Sequence, residues 1–351
     1  MFPLGRGVAG TVPLPAGWNS MRPNLHPSLV NGRFGDPAVY VEILHRPETI
    51  LFDLGDLTPL GTRDLLRIGH VFVSHMHMDH FIGFDRLLRV NVGREKSIFM
   101  VGPKGFREAV GHKLKGYTWD LVDRIESDLV IDAIEIAAPH SIEATRFRLK
   151  SAFDPEPTTP PPWRPGLILD WPHFDLTIAI LEHHGDSLGF ALQEPIHVNV
   201  WKSRLDERGL PTGKWLQGLK HAVRDALPDE TPIATSDGGS IPLGSLRDLV
   251  SVEPGQKLVY VTDVADNLSN REAIQALARD ADILLIEASF AEADSALAAQ
   301  RAHLTTRAAG EMARSAGVRR IEPFHFSPRY QDAEESMLAE VEAAFAGRPA
   351  P

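Results

Sequence analysis

The chain has no cysteine in its 351 residues. That one absence excludes disulfides, thiolate metal ligands and cysteine nucleophiles, and it fits a cytoplasmic address. Long apolar runs are also lacking. No window approaches the roughly 20 apolar residues that a membrane helix needs. The opening Met1-Phe2-Pro3-Leu4-Gly5-Arg6-Gly7 has no apolar core of a secretory signal. Positive charge is the third shortage, with 36 Lys and Arg against 47 Asp and Glu and a formal net charge of −11. A protein that grips a nucleic acid through its phosphates usually carries a basic patch. The candidates here are Arg86, Arg89, Arg94, Lys96 and the Lys113-Leu114-Lys115 run. Each reads first as a solvated face, so the charge balance weighs against a large polyanionic substrate.

What is present is the composition of a soluble globular protein, 43% hydrophobic and 24% charged. The length suffices to bury a real core. Residues 1–36 are rich in Gly, Pro and Asn without a clear period, which predicts irregular coil. Strands are expected over 38–44 and 49–52, joined by a turn at 45–48, and the second runs into Asp53-Leu54-Gly55-Asp56. A helix over 62–68 leads to a strand at 70–74. A helix over 81–90, a strand at 97–101, a helix over 103–115 and a strand over 129–136 follow. Phe147 to Ala152 continues the sheet pattern. The Pro-dense stretch 153–165 reads as an exposed extended loop inserted within one domain spanning 1–351. Strand signals resume at 176–181, strand and helix alternate from Glu287, and a terminal helix is expected over 333–345.

The densest chemistry is the stretch Val71-Phe72-Val73-Ser74-His75-Met76-His77-Met78-Asp79-His80. An apolar strand ends there in three histidines and an aspartate. Residues two apart share a face in extended chain, so His75, His77 and Asp79 can converge on one point, with His80 just behind. Imidazole and carboxylate without thiolate suit Zn, Mn or Fe.

His75-x-His77-x-Asp79-His80 resembles the signature of the dinuclear hydrolases of the metallo-β-lactamase superfamily. The resemblance implies an α+β fold, a four-layer αββα sandwich, with two divalent metal ions, Zn foremost. It also implies further ligands in the order His, Asp, His. His183, at the end of an apolar strand and six residues before Gly189-Phe190, resembles the third motif; His184 is its neighbour and His140 a weaker rival. Asp263 ends the strand 257–262, with Asp266 close by in sequence. His325 ends the strand before Phe326-Ser327. On this resemblance His75, His77 and His183 hold one metal, Asp79, His80 and His325 the other, and Asp263 bridges them. Asp53 resembles the carboxylate that orients metal-bound histidines.

Several stretches resemble the ribonuclease Z branch. Ile286-Glu287-Ala288-Ser289 is similar to its His-Glu-Ala-Thr motif, with isoleucine in place of histidine. His303-Leu304-Thr305-Thr306 is similar to its His-Ser-Thr motif, and Ser327-Pro328-Arg329-Tyr330 to its Ser-Arg-Tyr ending. The segment 205–219 resembles the region after the third motif. This likeness implies a phosphodiesterase or endoribonuclease that uses a metal-bridging hydroxide on precursor tRNA, working as a homodimer. Asp79 would take a proton, His303 would protonate the leaving oxygen, Glu287 would orient His303, and Arg329 would hold a phosphate oxygen. The departures fall on substrate recognition. Asn24 to Gly32 stands where the branch has Pro-Thr-x-x-Arg-Asn, Gly213-Lys214 stands for its Gly-Pro pair, and the 153–165 loop is extra. The alternative is a hydrolase of the same fold acting on a small phosphodiester such as a cyclic nucleotide, or on an ester or lactone.

Overall fold

The computed structural model describes residues 24–137, 141–171 and 173–348. Two sheets lie face to face. The first takes its eight strands in chain order: β1 (Leu25–Leu29), β2 (Val39–Ile43), β3 (Thr49–Phe52), β4 (Ile68–Phe72), β5 (Lys96–Gly102), β6 (Leu129–Ala137), β7 (Ser141–Arg148) and β8 (Pro155–Thr158). Its central pairs, β3 with β4, β4 with β5 and β5 with β6, are parallel.

The chain then crosses to the second sheet with β9 (Trp163–Arg164), β10 (Ile168–Trp171), β11 (Phe174–Glu182) and β12 (Asp186–Gln193). It leaves in an excursion built on β13 (His197–Val200), β14 (Pro232–Ala234), β15 (Ser240–Pro242) and β16 (Val250–Glu253), with helices Lys202–Glu207 and Trp215–Arg224. This excursion packs its own apolar cluster around Leu205, Trp215, Leu219 and Leu246. The chain returns to the second sheet with β17 (Lys257–Val261), β18 (Ile283–Glu287) and β19 (Ile321–Phe324).

The layering follows from strands that are apolar on both faces. Along β3 and β4, Ile50, Phe52 and Phe72 point between the sheets, whereas Leu51 and Val71 point outward beneath helices Phe84–Asn91 and Phe106–Lys115. In β17, Leu258 and Tyr260 face the same inner layer, and Val259 and Val261 pack outward with Ile274, Met312 and Val341 of three covering helices. Period-2 alternation with both sets buried marks a sheet covered on two sides. The result is the four-layer αββα sandwich of the metallo-β-lactamase fold.

Three expectations need correction. Residues 25–29 form an edge strand on β2 rather than coil; only one side pairs, and exposed His26 hides the alternation. The strand expected to run from Phe147 to Ala152 ends at Arg148, where a helical turn over Leu149–Ser151 takes over before Ala152 and Phe153 reverse the chain at φ 50° and 56°. The Pro-dense stretch is exposed, yet Pro155–Thr158 closes the edge of one sheet and Trp163–Arg164 the edge of the other. Proline lacks an N–H and is tolerated at such edges. Residues 1–23 and His140 lie outside the described residues.

Candidate active site

The loops leaving β3, β4, β11, β17 and β19 meet at one end of the sandwich. Asp53 and His325 directly follow their strands, and Asp263 stands two residues past β17. All three adopt the left-handed backbone, with φ 56°, 57° and 45°. Such a conformation in a non-glycine residue costs of order 1 kcal/mol or more and persists where the surroundings over-determine it. Here it turns the side chain back across the strand ends.

Donor atoms of His75, His77, His183 and Asp263 lie within 4.8 Å of one another, as do those of Asp79, His80 and His325. Asp263 divides between the two groups. Its Oδ2 lies 3.6 Å from His75 Nε2 and 3.8 Å from His183 Nε2. Its Oδ1 lies 3.6 Å from His80 Nε2 and 2.9 Å from His325 Nδ1. Asp266, its neighbour in sequence, is tied instead to Arg271 at 2.5 and 2.8 Å.

Beneath them Asp53 is fully buried and accepts four hydrogen bonds: from Ser74 N (2.7 Å), Ser74 Oγ (2.8 Å), His80 Nδ1 (2.8 Å) and Tyr260 Oη (2.6 Å). Ser74 Oγ lies 3.0 Å from His75 Nδ1. His183 Nδ1 donates to Ala302 O at 2.8 Å. One ring nitrogen of His80 and of His183 is thus held by the protein, leaving the other for the cavity, while His75 Nε2 meets His77 Nδ1 at 2.9 Å. His80 Nε2 is buried with no hydrogen-bond partner, an arrangement that is costly unless something coordinates it. Three histidines and a shared carboxylate on one side, and two histidines and two carboxylates on the other, fit divalent ions of the Zn, Mn or Fe type.

A second carboxylate supports the lip. Buried Glu287 accepts from Val264 N (2.7 Å), Ser289 Oγ (2.6 Å) and His303 Nδ1 (2.9 Å). The His303 ring stands 5.0 Å from that of His183 and 5.7 Å from that of His325. Burial pulls the His303 imidazolium down, but the Glu287 carboxylate more than offsets it, so its pKa lies above the ordinary histidine value. Burial alone would raise Asp263; the charges of His325 and His80 hold it well below the carboxylate range. Burial and neighbouring His80 drive His75 down to about 2.

The cavity over these groups holds about 390 Å³. His77, Asp79, His183, Asp263, His303 and His325 line it, with His75 and His80 deeper beneath. Arg329 stays outside. Its guanidinium lies 3.6 Å from Asp294 and 5.9 Å from the ring centroids of both Phe290 and Tyr330. Polar lining residues that the motifs did not single out are Asp36 and Arg301; Ser289, from the 286–289 motif, lines it too, and His184 also reaches the cavity, its ring 6.4 Å from that of His77.

No family model matches the chain. Among curated proteins, ribonuclease Z of Deinococcus radiodurans is 33% identical over 303 residues, covering 84% of this chain and 88% of that protein. Ribonuclease Z of Geobacillus kaustophilus is 30% identical over 317 residues, 88% of each. Two solved structures share the fold. The metallo-β-lactamase fold protein YhfI from Bacillus subtilis superposes with a TM-score of 0.52 at 15% identity, covering 91% of this chain and 93% of that one. A long form RNase Z from yeast gives 0.51 at 14% identity, covering 86% of this chain and 37% of that one. With a third of its residues shared over nearly the whole length of a curated ribonuclease Z, the chain belongs to the ribonuclease Z family, the metal-dependent hydrolytic endoribonucleases of the metallo-β-lactamase fold.

Proposed function

We propose that the protein cleaves precursor tRNA at its 3′ end with two divalent metal ions, Zn foremost. His75, His77 and His183 would hold one ion, Asp79, His80 and His325 the other, with Asp263 shared. The observation that carries this reading is the division of the two Asp263 oxygens between two clusters, with the His303–Glu287 pair at 2.9 Å beside them. When bound, the ions supply Lewis acidity to the phosphoryl oxygens and lower the pKa of water.

The chain's own residues do the rest. Asp53 fixes His80, and through Ser74 also His75, by Nδ1, so that His80 Nε2 is left without a hydrogen-bond partner and His75 Nε2 faces His77 and Asp263. Asp79, half-buried at the cavity wall, is placed to accept a proton from the attacking water. Its pKa lies below the carboxylate range, because His325 and His80 outweigh the burial that raises it. Glu287 engages His303 Nδ1 and turns Nε2 toward the cavity, where it can protonate the leaving oxygen; a positioned acid contributes about 10²–10⁴-fold. Incubation of the metal-loaded enzyme with precursor tRNA tests the proposal. Release of a 3′ trailer supports it, and an intact precursor with both metals bound removes the tRNA substrate. The family likeness also supports a homodimer in the cytoplasm, and light scattering on the purified protein tests the dimer.

A second reading, a small phosphodiester such as a cyclic nucleotide, or an ester or lactone, is favoured by the net charge of −11. The Asp36 carboxylate on the cavity wall favours it too. Turnover of a cyclic nucleotide or lactone without tRNA cleavage would select it.

A further inference from the structure

We propose that Arg301 forms an anion subsite that holds the phosphate adjoining the scissile one, so that the substrate class is a phosphodiester with at least one more phosphate. The inference rests on the phosphodiesterase reading above.

Arg301 is held by a built turn rather than by a free loop. Helix Ser295–Gln300 ends immediately before it. Arg301 N donates to Leu297 O and Ala298 O at 3.0 and 3.1 Å, and His303 N returns to Ala298 O at 3.0 Å. Between them Ala302 adopts φ 54°, which reverses the chain. Ala302 O receives His183 Nδ1 and His303 Nδ1 meets Glu287. Three consecutive residues thus fix a candidate ligand, present the candidate acid and place a guanidinium at the cavity mouth.

That guanidinium is uncommitted. Arg301 is exposed and lines the cavity, and among the described residues no carboxylate pairs with it. It is the only Arg or Lys among the described lining residues, against the carboxylates of Asp36, Asp79 and Asp263. A phosphate next to the scissile group enters a field made negative by these acids, beyond the pair of ions that would serve the reacting phosphate. A planar guanidinium suits it because its paired N–H groups match two phosphate oxygens. Arg329, the other arginine near the site, is already engaged by Asp294 and two rings.

The test uses the metal-loaded full-length enzyme, its Arg301→Gln and Arg301→Lys variants, and Arg307→Gln as a charge-matched control. Arg307 pairs with Glu311 and is not among the cavity's lining residues. Adenosine 3′,5′-bisphosphate, which carries a second phosphate, is the probe, with binding measured by calorimetry. Arg301→Gln is expected to weaken nucleotide binding roughly tenfold, raise KM for precursor tRNA by a similar factor with a smaller change in kcat, and reduce the salt slope of log kcat/KM by about 1. Arg301→Lys recovers part of the loss, and Arg307→Gln matches the wild type. Nucleotide affinity and salt slope equal to those of Arg307→Gln would overturn the proposal. So would a loss on bis(p-nitrophenyl) phosphate, which has no adjoining phosphate, as large as the loss in nucleotide binding. If the wild type hydrolyses this small diester but not precursor tRNA, the tRNA reading falls, and the calorimetry still decides Arg301.

Discussion

Tyr260 donates its phenolic hydrogen to Asp53 across the sandwich, Oη to Oδ2 at 2.6 Å. One residue belongs to the second sheet and the other ends a strand of the first, so this bond ties the two sheets together directly beneath the histidines. Both groups are fully buried. Burial and the Asp53 carboxylate hold the Tyr260 pKa well above the ordinary phenol value, so it remains a donor.

Tyr260→Phe leaves Asp53 with three donors and removes no apolar volume. Loss of a hydrogen bond to a charged group is expected to cost about 1.5–3 kcal/mol, read as a lower denaturation midpoint. The same substitution loosens His80, so metal affinity should fall about 10–100-fold in competition with a chelator. An unchanged metal affinity alongside the stability loss would reduce Tyr260 to a packing role.

Asp263 and His77 should differ in how much metal their loss releases. Asp263 faces both clusters, whereas His77 belongs to one. If two ions bind as proposed, elemental analysis after dialysis should show both metal equivalents gone from Asp263→Ala, and His77→Ala should keep the ion assigned to Asp79, His80 and His325. Full retention by Asp263→Ala would contradict the shared-ligand geometry.

These groups differ in how far the sequence discloses them. His75, His77, Asp79 and His80 are legible because they crowd directly past an apolar strand. The expected convergence of His75, His77 and Asp79 on one point is corrected, because a helical turn over Met78–His80 carries Asp79 and His80 to the other group. His183, Asp263 and His325 are legible one at a time, as polar residues ending apolar strands. The left-handed turns at Asp263 and His325 that aim them are not announced by glycine, and Asp and His adopt that conformation too rarely for the sequence to disclose it. Asp36 was missed for a similar reason. Its loop is placed by long-range contacts: Gly55 N donates to Pro37 O at 2.9 Å, and a Cβ at Gly55 would come within 2.7 Å of Asp36. The sandwich was legible through the family resemblance, and strands buried on both faces are what build it. The edges β1, β8 and β9 were not, because a strand paired on one side tolerates His, Pro and Arg.

Glu287 and His303 are expected to act as a unit. His303→Gln should lower kcat on precursor tRNA by about 10²–10⁴-fold with little change in KM. The loss should be far smaller on bis(p-nitrophenyl) phosphate, whose nitrophenolate leaves without a proton. Glu287→Gln should reproduce most of this pattern, and the double variant should be barely worse than His303→Gln alone. Equal losses on both substrates would remove the leaving-group role from His303.

His70 sets an acid limit on stability that has nothing to do with the metals. It is buried between the sheets, stacked on Phe99 at 5.6 Å and edge-on to Phe174 and Trp171 at 5.3 and 5.5 Å. Burial, with the nearby charges of His173 and Lys96, lowers its pKa to about 4, against about 6.5 in the unfolded chain. Above pH ~6.5 the ring is neutral in both states and carries no penalty. As pH falls from there towards 4, the unfolded chain binds a proton that the folded one refuses, so stability drops through that window. The full effect is about 3 kcal/mol, reached near pH 4. His70→Phe keeps the aromatic packing and removes the proton site. Urea midpoints measured from pH 7 to pH 4 should therefore fall less steeply for the variant than for the wild type. Parallel curves would show that His70 is not the group responsible.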